Sequence, residues 1–538
     1  MRRIERCNCG SGLRFKHCHG RLAVSNDVPA SSQLARRRAE ALEHQRIKQQ
    51  GKGRPIISHE VEGVRFVTVG DRVAYGPWQG FQDFLFRHLR FLFGLEEDII
   101  HNVQYEEVPL YAWLRALHAI KDRHAAEPSK GTDWLPAYGA ARAVYGLAYD
   151  LYLIEHNASR PEDKAAFAKL VAKLRSRHEF YGARHEARVA GIFIRAGFDI
   201  EWEDDGQGLP GGHAEFFATY PDTKRRFWVE CKMRQPEDDD ADPRVSHLVA
   251  NALNKKTSLE RLVFVELNLK SPKFDDVSGG WASQFINKLR RLEQQPSSSS
   301  LPAALVVFMN HPEYRFLDSA DRCMGALMEG FNTGDAYRTG VPTDLLDAVG
   351  RRRRDKEIEV LWESVMENAA PPLTFDGTIP WLDDSTRLLI GERYVLDDDV
   401  SGILESGVVM EEWKAAFCTF VTEEGRSHYN VDLTEDELYA FKLHPNTFFG
   451  VVQDNQGSES SDALALHEFF VEGSRALGRD ELLARLSDES DAIELMAKSE
   501  AELRDIYAYR MVASANERNP FPGGPDWHKR LRGRRARR

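Results

Sequence analysis

The alternation of apolar and polar positions divides the chain into blocks of different period. Residues 34–50 are mostly polar and basic with helical character, and Gly51-Lys52-Gly53-Arg54-Pro55 ends them. Residues 59–69 alternate as a strand, and Gly70-Asp71 supplies a turn. Phe81, Phe84, Leu85, His88, Leu89, Leu92 and Phe93 then recur at helical spacing, and the apolar run 140–154 predicts a core helix. Between residues 165 and 310 the rhythm changes. Helices are expected over 165–176 and 182–196, the second capped by Gly197, followed by a strand at 198–203 and a Gly/Pro loop at 206–212. Strands at 213–220 and 226–233, a helix at 244–253, a strand at 262–267, a helix at 281–293 and a strand at 303–310 complete the block. Beyond it the pattern predicts strands at 388–394 and 448–453 and helices at 358–367, 411–421, 435–443, 463–477 and 480–513, with no internal repeat.

Length and composition add limits. A chain of 538 residues with 42% apolar and 29% charged positions is ordinary globular material of roughly three domains. The apolar stretch 301–309 is far short of the ~20 residues that span a bilayer, and no apolar segment follows the basic start, so a cytoplasmic protein without a membrane partner is expected. The net charge of −12 is unevenly spread, since the first ~55 residues and the last ten are basic. Both ends are candidates for contact with a phosphate backbone, Arg14, Lys16, Arg36, Arg37 and Arg38 above all, and equally for solvated tails.

Three of the six cysteines crowd into residues 7–18. Cys7 and Cys9, then Cys18 and His19, stand at the two ends of a short loop, with Gly10 and Gly12 allowing a tight turn. Four such ligands suit tetrahedral Zn²⁺, and twenty residues build no core, so the metal would supply the fold. The pattern Cys-x-Cys-x-Ser-Gly followed by Cys-His resembles the SEC-C motif. The resemblance implies a structural zinc and a docking role toward protein, ribosome or nucleic acid. Four protein ligands leave no open position for catalysis.

A second constellation lies in the middle block. Strand alternation puts Glu215 on one face of its strand, with Ala214, Phe216 and Ala218 on the other. In the next strand Glu230 and Lys232 share a face opposite Val229, Cys231 and Met233. Charged groups on apolar strands are costly unless paired or metal-bound. Two carboxylates without His or Cys favour Mg²⁺ or Mn²⁺ over zinc, with Glu215, Glu230 and the backbone carbonyl of Cys231 as candidate ligands. Lys232 is placed to orient a water or to stabilise developing charge. Glu186, on the preceding helix, is a candidate further ligand or support. His213 shares the face of Glu215 and reads as an assisting group or, more simply, a polar surface residue.

These residues resemble the PD-(D/E)xK, restriction-endonuclease-like nucleases. Glu230-Cys231-Lys232 matches the ExK element, Glu215 stands where those enzymes carry aspartate, and Glu186 matches the acid of their first helix. Ala214-Glu215 departs from their Pro-Asp pair, and the longer glutamate alters metal geometry. The whole arrangement also resembles a group of bacterial proteins that join a SEC-C motif to such a block.

The expected architecture is therefore multidomain α/β (α+β): a zinc knuckle at 1–22, a basic helical linker at 23–55, a mainly helical domain at 56–160, an αβββαβ nuclease-like core at 161–325 and an α+β domain at 326–538 with a basic tail. The expected function is Mg²⁺- or Mn²⁺-dependent hydrolysis of phosphodiester bonds, DNA being favoured over RNA. The resemblance implies a homodimer and a setting in restriction, repair or antiviral defence. The alternative is an inactive nucleic-acid- or ribosome-binding adaptor that docks through the knuckle. No Walker loop, dinucleotide fingerprint or Gly-x-Ser-x-Gly elbow is present. Phe81, Phe84, Phe86, Phe91 and Phe93 read as core rather than as a base-stacking surface.

Overall fold

In the computed structural model the described residues are 32–95, 108–126, 138–203, 214–235, 245–269, 281–295, 301–319, 325–334, 337–339, 344–367, 370–378, 388–397, 400–453, 463–475, 477–486 and 492–518. They form a mixed α/β protein with three sheets. Its contacts define two compact units, one of Met1–Leu85 with Pro371–Ser458, the other of Phe86–Ala370 with Glu459–Arg538. The four expected zinc ligands Cys7, Cys9, Cys18 and His19, with Arg14, Lys16 and His213, lie outside the described residues.

The first described element is α1 (Ser32–Gln50), ended by Gly51 at φ 81°. The alternating stretch 59–69 is not one strand but a hairpin, β1 (Ser58–Val61) and β2 (Val64–Val69). Glu62 and Gly63 between them hold φ 50° and 78°. Two successive left-handed residues make the tight turn that suits the twist of a hairpin, so the period of two runs unbroken through a reversal. The strand β3 (Arg72–Gly76) pairs with β2 to complete an antiparallel three-stranded sheet. The helix α2 (Phe81–Phe93) buries Phe81, Phe84 and Phe93, as its spacing predicts, and leaves Phe91 exposed.

In the second unit α3 (Pro109–Ala126) and α4 (Gly139–Asn157) pack together, and α4 is buried along almost its whole length. Then come α5 (Pro161–Leu174) and α6 (Phe180–Arg195), ended where Gly197 takes φ 85°. The strands β4 (Asp199–Trp202), β5 (Phe216–Thr219) and β6 (Arg226–Met233) follow, each antiparallel to the next. The helix α7 (Val245–Leu253) then crosses to β7 (Glu260–Glu266), parallel to β6. A second crossover, α8 (Trp281–Glu293), leads to β8 (Ala304–Asn310), parallel to β7. This order of helix, three strands, helix, strand, helix, strand is the one the hydrophobic pattern predicts.

The strand β9 (Gly325–Phe331), which the pattern does not announce, adds antiparallel to β8, so the sheet runs β4-β5-β6-β7-β8-β9. Side chains of β7 and β8 alternate between its two faces. Val263, Val265, Val306 and Phe308 pack with α7 and α8. Phe216 and Phe264 meet Phe193 of α6 on the other face.

The helices α9 (Leu345–Arg354), also unannounced, and α10 (Lys356–Glu367) follow. In the first unit β10 (Arg393–Asp397), β11 (Val400–Met410), β12 (Ala415–Thr422) and β13 (Gly425–Asp432) form an antiparallel sheet. The helix expected at 411–421 is thus a 3-10 turn at Glu411–Trp413 followed by a strand. Lys414 takes the left-handed φ of 51°, and Ala416, Cys418 and Phe420 are buried on one face while Phe417 and Val421 are exposed. After α11 (Glu435–Leu443), the strand expected at 448–453 is a turn-rich segment whose Phe448, Phe449 and Val451 plug that sheet's core. The long helix expected at 480–513 is instead α13 (Arg479–Leu486), α14 (Ala492–Met496) and α15 (Glu500–Arg518), preceded by α12 (Ala463–Gly473).

Candidate active site

Four candidate residues from the sequence, Glu186, Glu215, Glu230 and Lys232, belong to one electrostatic group beside the junction of β5 and β6. Glu215 stands one residue ahead of β5, and its N–H donates to the carbonyl of Val229 at 3.1 Å, so the ladder with β6 already holds it. Alternation along β6 turns Trp228, Glu230 and Lys232 toward the α7 side, and Cys231 toward the α6 side. Glu186 comes from α6 on that second side. Carboxylates from both faces of the sheet thus meet where β5 begins.

The structure adds two residues that the sequence did not single out. Glu230 is wholly buried, and its carboxylate accepts from the ammonium groups of both Lys232 and Lys255. Lys255 Nζ lies 2.6 Å from Oε1 and 2.8 Å from Oε2. Lys255 follows α7 on a turn whose carbonyls at Lys255 and Thr257 accept from Arg261 at 3.3 and 3.0 Å. Its ammonium is 5.7 Å from the ring centroid of Trp228, a cation–π contact. Lys173 of α5 lies 3.1 Å from Glu186 Oε2. A lysine in a loop after a helix and another on a helix face look like ordinary surface residues in sequence, and only the fold brings them inward.

Three carboxylates and three ammonium groups therefore share the site. Glu215 is the carboxylate under most stress. Burial and the neighbouring charges of Glu186 and Glu230 push its pKa from 4.5 to about 7, against the pull of Lys232 and Lys173. Burial, with the charges of Glu215, Glu186 and Glu230, also drives the Cys231 thiol well above 9.0, so the thiol stays protonated. Of Cys231, only the backbone carbonyl remains a candidate metal ligand.

A metal fits this donor set. Carboxylate and carbonyl oxygens are hard donors, and Mg²⁺ is commonly held by one or two carboxylates together with water and substrate oxygens. Among the described residues no group of three or more His, Cys, Asp or Glu side chains is arranged to hold a metal, so Glu215 and Glu230 would act as a pair. A buried acid displaced upward by its acidic neighbours is one that a cation relieves.

Behind the site, α6 is tied down by buried polar contacts. His185 Nε2 lies 3.2 Å from the carbonyl of Phe264. Arg184 donates to the carbonyl of His311 at 3.2 Å and to Glu313 at 2.5 Å, and lies over the rings of Trp113 and Tyr314. Glu266 accepts from the backbone N–H of His311 at 2.8 Å, with the His311 ring at 3.2 Å. Further along α6, Asp150 of α4 accepts from Arg195 at 2.9 Å, with Arg188 at 3.5 Å. These contacts set the rotation of α6 and hence the position of Glu186.

The candidate nucleic-acid residues on α1 divide. Arg36 and Arg37 are exposed, and Arg36 pairs with Glu40 at 2.9 Å. Arg38 instead donates to the carbonyl of Ile390 at 3.2 Å and pairs with Glu392 at 2.5 Å, which makes it an internal tie.

The chain carries a SEC-C motif. Residues 5–21 match that family and include Cys7, Cys9, Cys18 and His19. No curated protein and no solved structure matches the chain. No described helix is long and apolar enough to cross a membrane.

Proposed function

We propose that the second unit is a Mg²⁺- or Mn²⁺-dependent nuclease of the PD-(D/E)xK kind, hydrolysing phosphodiester bonds, and that the SEC-C motif binds one structural zinc and docks the enzyme. One observation carries this reading: Glu186, Glu215, Glu230 and Lys232, chosen from sequence, belong to a single charge-coupled site. The strand order, with a helical crossover from β6 to a parallel β7, supports it.

Glu215 and Glu230, with the Cys231 carbonyl, would hold the divalent ion. Such an ion supplies Lewis-acid stabilisation of phosphate oxygens and makes water a better nucleophile near neutral pH. Lys232, fixed on β6 beside Glu230, orients the attacking water by hydrogen bonding and offsets charge that develops on the phosphorane oxygens. Glu186, held by Lys173 and by the ties on α6, adds negative potential that favours a cation over a free lysine at Glu215. DNA is the expected substrate, in restriction, repair or antiviral defence, and a homodimer the expected assembly.

The test is cleavage of plasmid, linear duplex, single-stranded DNA and RNA with Mg²⁺, Mn²⁺ or EDTA. Cutting that needs the metal and disappears in Glu230→Ala and Lys232→Ala is the expected result; cutting that both variants retain overturns the site. A second reading has its own support, because both oxygens of Glu230 are already engaged by lysines, an arrangement that stands without metal. Under it the chain is an inactive nucleic-acid- or ribosome-binding adaptor. Binding that survives EDTA and Lys232→Ala, with no cleavage of any substrate, would establish that one.

A further inference from the structure

We propose that Lys255 is a displaceable counter-ion: it occupies the coordinating oxygens of Glu230 until a divalent cation arrives, and is then released to bind a phosphate oxygen of the substrate. The inference rests on the nuclease reading above and assigns a residue to it.

The geometry separates the two lysines on Glu230. Lys232 is two positions along the same strand, so its backbone is fixed relative to the carboxylate by the pairing of β6 with β7. Its side chain is 24% exposed, close to that of Lys255, so what sets it apart is its short tether to the carboxylate within one strand. Lys255 sits on the turn between α7 and β7, and its ammonium spans both oxygens of Glu230, at 2.6 and 2.8 Å. Those are the oxygens that a hard cation would need. A divalent ion and Lys255 therefore compete for the same lone pairs, while Lys232 donates to Oε1.

Electrostatics make the exchange favourable. Three carboxylates against three ammonium groups leave the metal-free site near neutral. A divalent ion entering beside Lys255 would place that ammonium against like charge, and the side chain is 26% exposed, so it has a path outward. The ammonium also lies 5.7 Å from the centroid of the buried Trp228 ring, whose face favours a cation beside Glu230. An ammonium held there by its loop, at the rim of a charged site, is a point-charge ligand for a phosphate. The Arg261 contacts to the turn keep the loop in position through the exchange.

The measurement is Mn²⁺ binding by calorimetry on the full chain, followed by anisotropy of a labelled oligonucleotide in Ca²⁺. The proteins are wild type, Lys255→Met and Lys173→Met. Methionine keeps an apolar side chain of similar length and removes the charge. Removing a cation in contact with a ligand carboxylate should tighten Mn²⁺ binding by about tenfold or more. Lys255→Met should therefore bind Mn²⁺ at the Glu215/Glu230 site at least that much more tightly than wild type, yet bind the oligonucleotide several-fold more weakly. Lys173→Met, which touches Glu186 rather than Glu230, should change Mn²⁺ affinity less.

A second variant, Lys255→Arg, keeps the charge and should hold oligonucleotide affinity close to wild type. Equal Mn²⁺ affinity in wild type and Lys255→Met overturns the displacement while leaving the nuclease site intact. Unchanged oligonucleotide affinity in Lys255→Met overturns the phosphate role. Absence of any Mn²⁺ binding beyond the zinc motif, in wild type and Lys255→Met alike, removes the nuclease reading itself, and the displacement with it.

Discussion

At the scale of single residues, the candidate site is destabilising in its charged form. Glu215 has a pKa of about 7 in the fold against 4.5 unfolded, because burial and two acidic neighbours oppose its ionisation. Above pH 7 both states are ionised and the fold carries the whole penalty, on the order of 3 kcal/mol. As the pH falls toward 5 the folded state takes up its proton first and the penalty fades. Glu215→Gln should accordingly raise the thermal midpoint at pH 8, by an amount that shrinks toward pH 5, while abolishing metal-dependent cleavage. Melting curves across that range would show it; a pH-independent effect would remove the charge explanation.

His185 titrates with the opposite sense. Burial above all holds its pKa near 4, below the ordinary 6.5, although Glu266 and the Phe264 carbonyl pull it back up. The unfolded chain therefore gains a proton at His185 before the folded chain does, and stability is lost as the pH falls from 6.5 through about 4. Urea midpoints of His185→Gln should be lower at neutral pH, because a buried contact is altered, but should fall less steeply than wild type between pH 7 and 5.

At the scale of elements, α6 is where local preference and packing disagree. A glycine inside a helix ordinarily costs about 1 kcal/mol relative to alanine. At Gly191, however, a Cβ would lie 2.5 Å from Oδ1 of Asp150 and 3.3 Å from Arg195 Nη1. Gly191→Ala should therefore destabilise, by about 1–3 kcal/mol in urea unfolding, where helix propensity alone predicts a gain. The shift would reach Glu186, five residues earlier on the helix, so cleavage should fall with it. In the first unit the comparable case is β12. Glu411-Glu412-Trp413-Lys414-Ala415-Ala416 carries helix-forming residues, yet pairing on both sides with β11 and β13 outweighs that preference.

At the scale of the molecule, each unit is built from two separate stretches of chain. Leu345 and Val349 of α9 bury against Ala463 of α12 and Val512 of α15. Bidentate pairing of Arg353 with Asp505 joins α9 to α15 as well. A chain ended after residue 458 would expose that face, and should be recovered largely aggregated or with a thermal midpoint lowered by several degrees, as light scattering and melting would report. The zinc proposed for the SEC-C motif is tested separately: Cys9→Ser should lower bound zinc from one atom per chain to none while leaving the circular dichroism of the helices and sheets nearly unchanged.

The elements from α4 to β8 were legible because each carries an uninterrupted period that its packing respects, 3.6 in the helices and a buried apolar run in the strands. The SEC-C motif was legible because its information is local: three cysteines, a histidine and two glycines within a short stretch. Glu215, Glu230 and Lys232 could be chosen because a charge on an apolar strand stands out against its neighbours, and Glu186 because the resemblance expects an acid on the preceding helix. Lys173 and Lys255 could not, since a lysine on a helix face or in a loop looks the same whether it faces water or a buried carboxylate. The Glu62-Gly63 reversal was hidden because a hairpin preserves the alternation on both arms. The strand at β12 and the pairing of distant stretches into one unit depend on contacts between residues far apart in sequence, and neither propensity nor period records those. Local order was therefore written in the sequence, while the charge balance of the site and the closure of each unit were decided only where the chain meets itself.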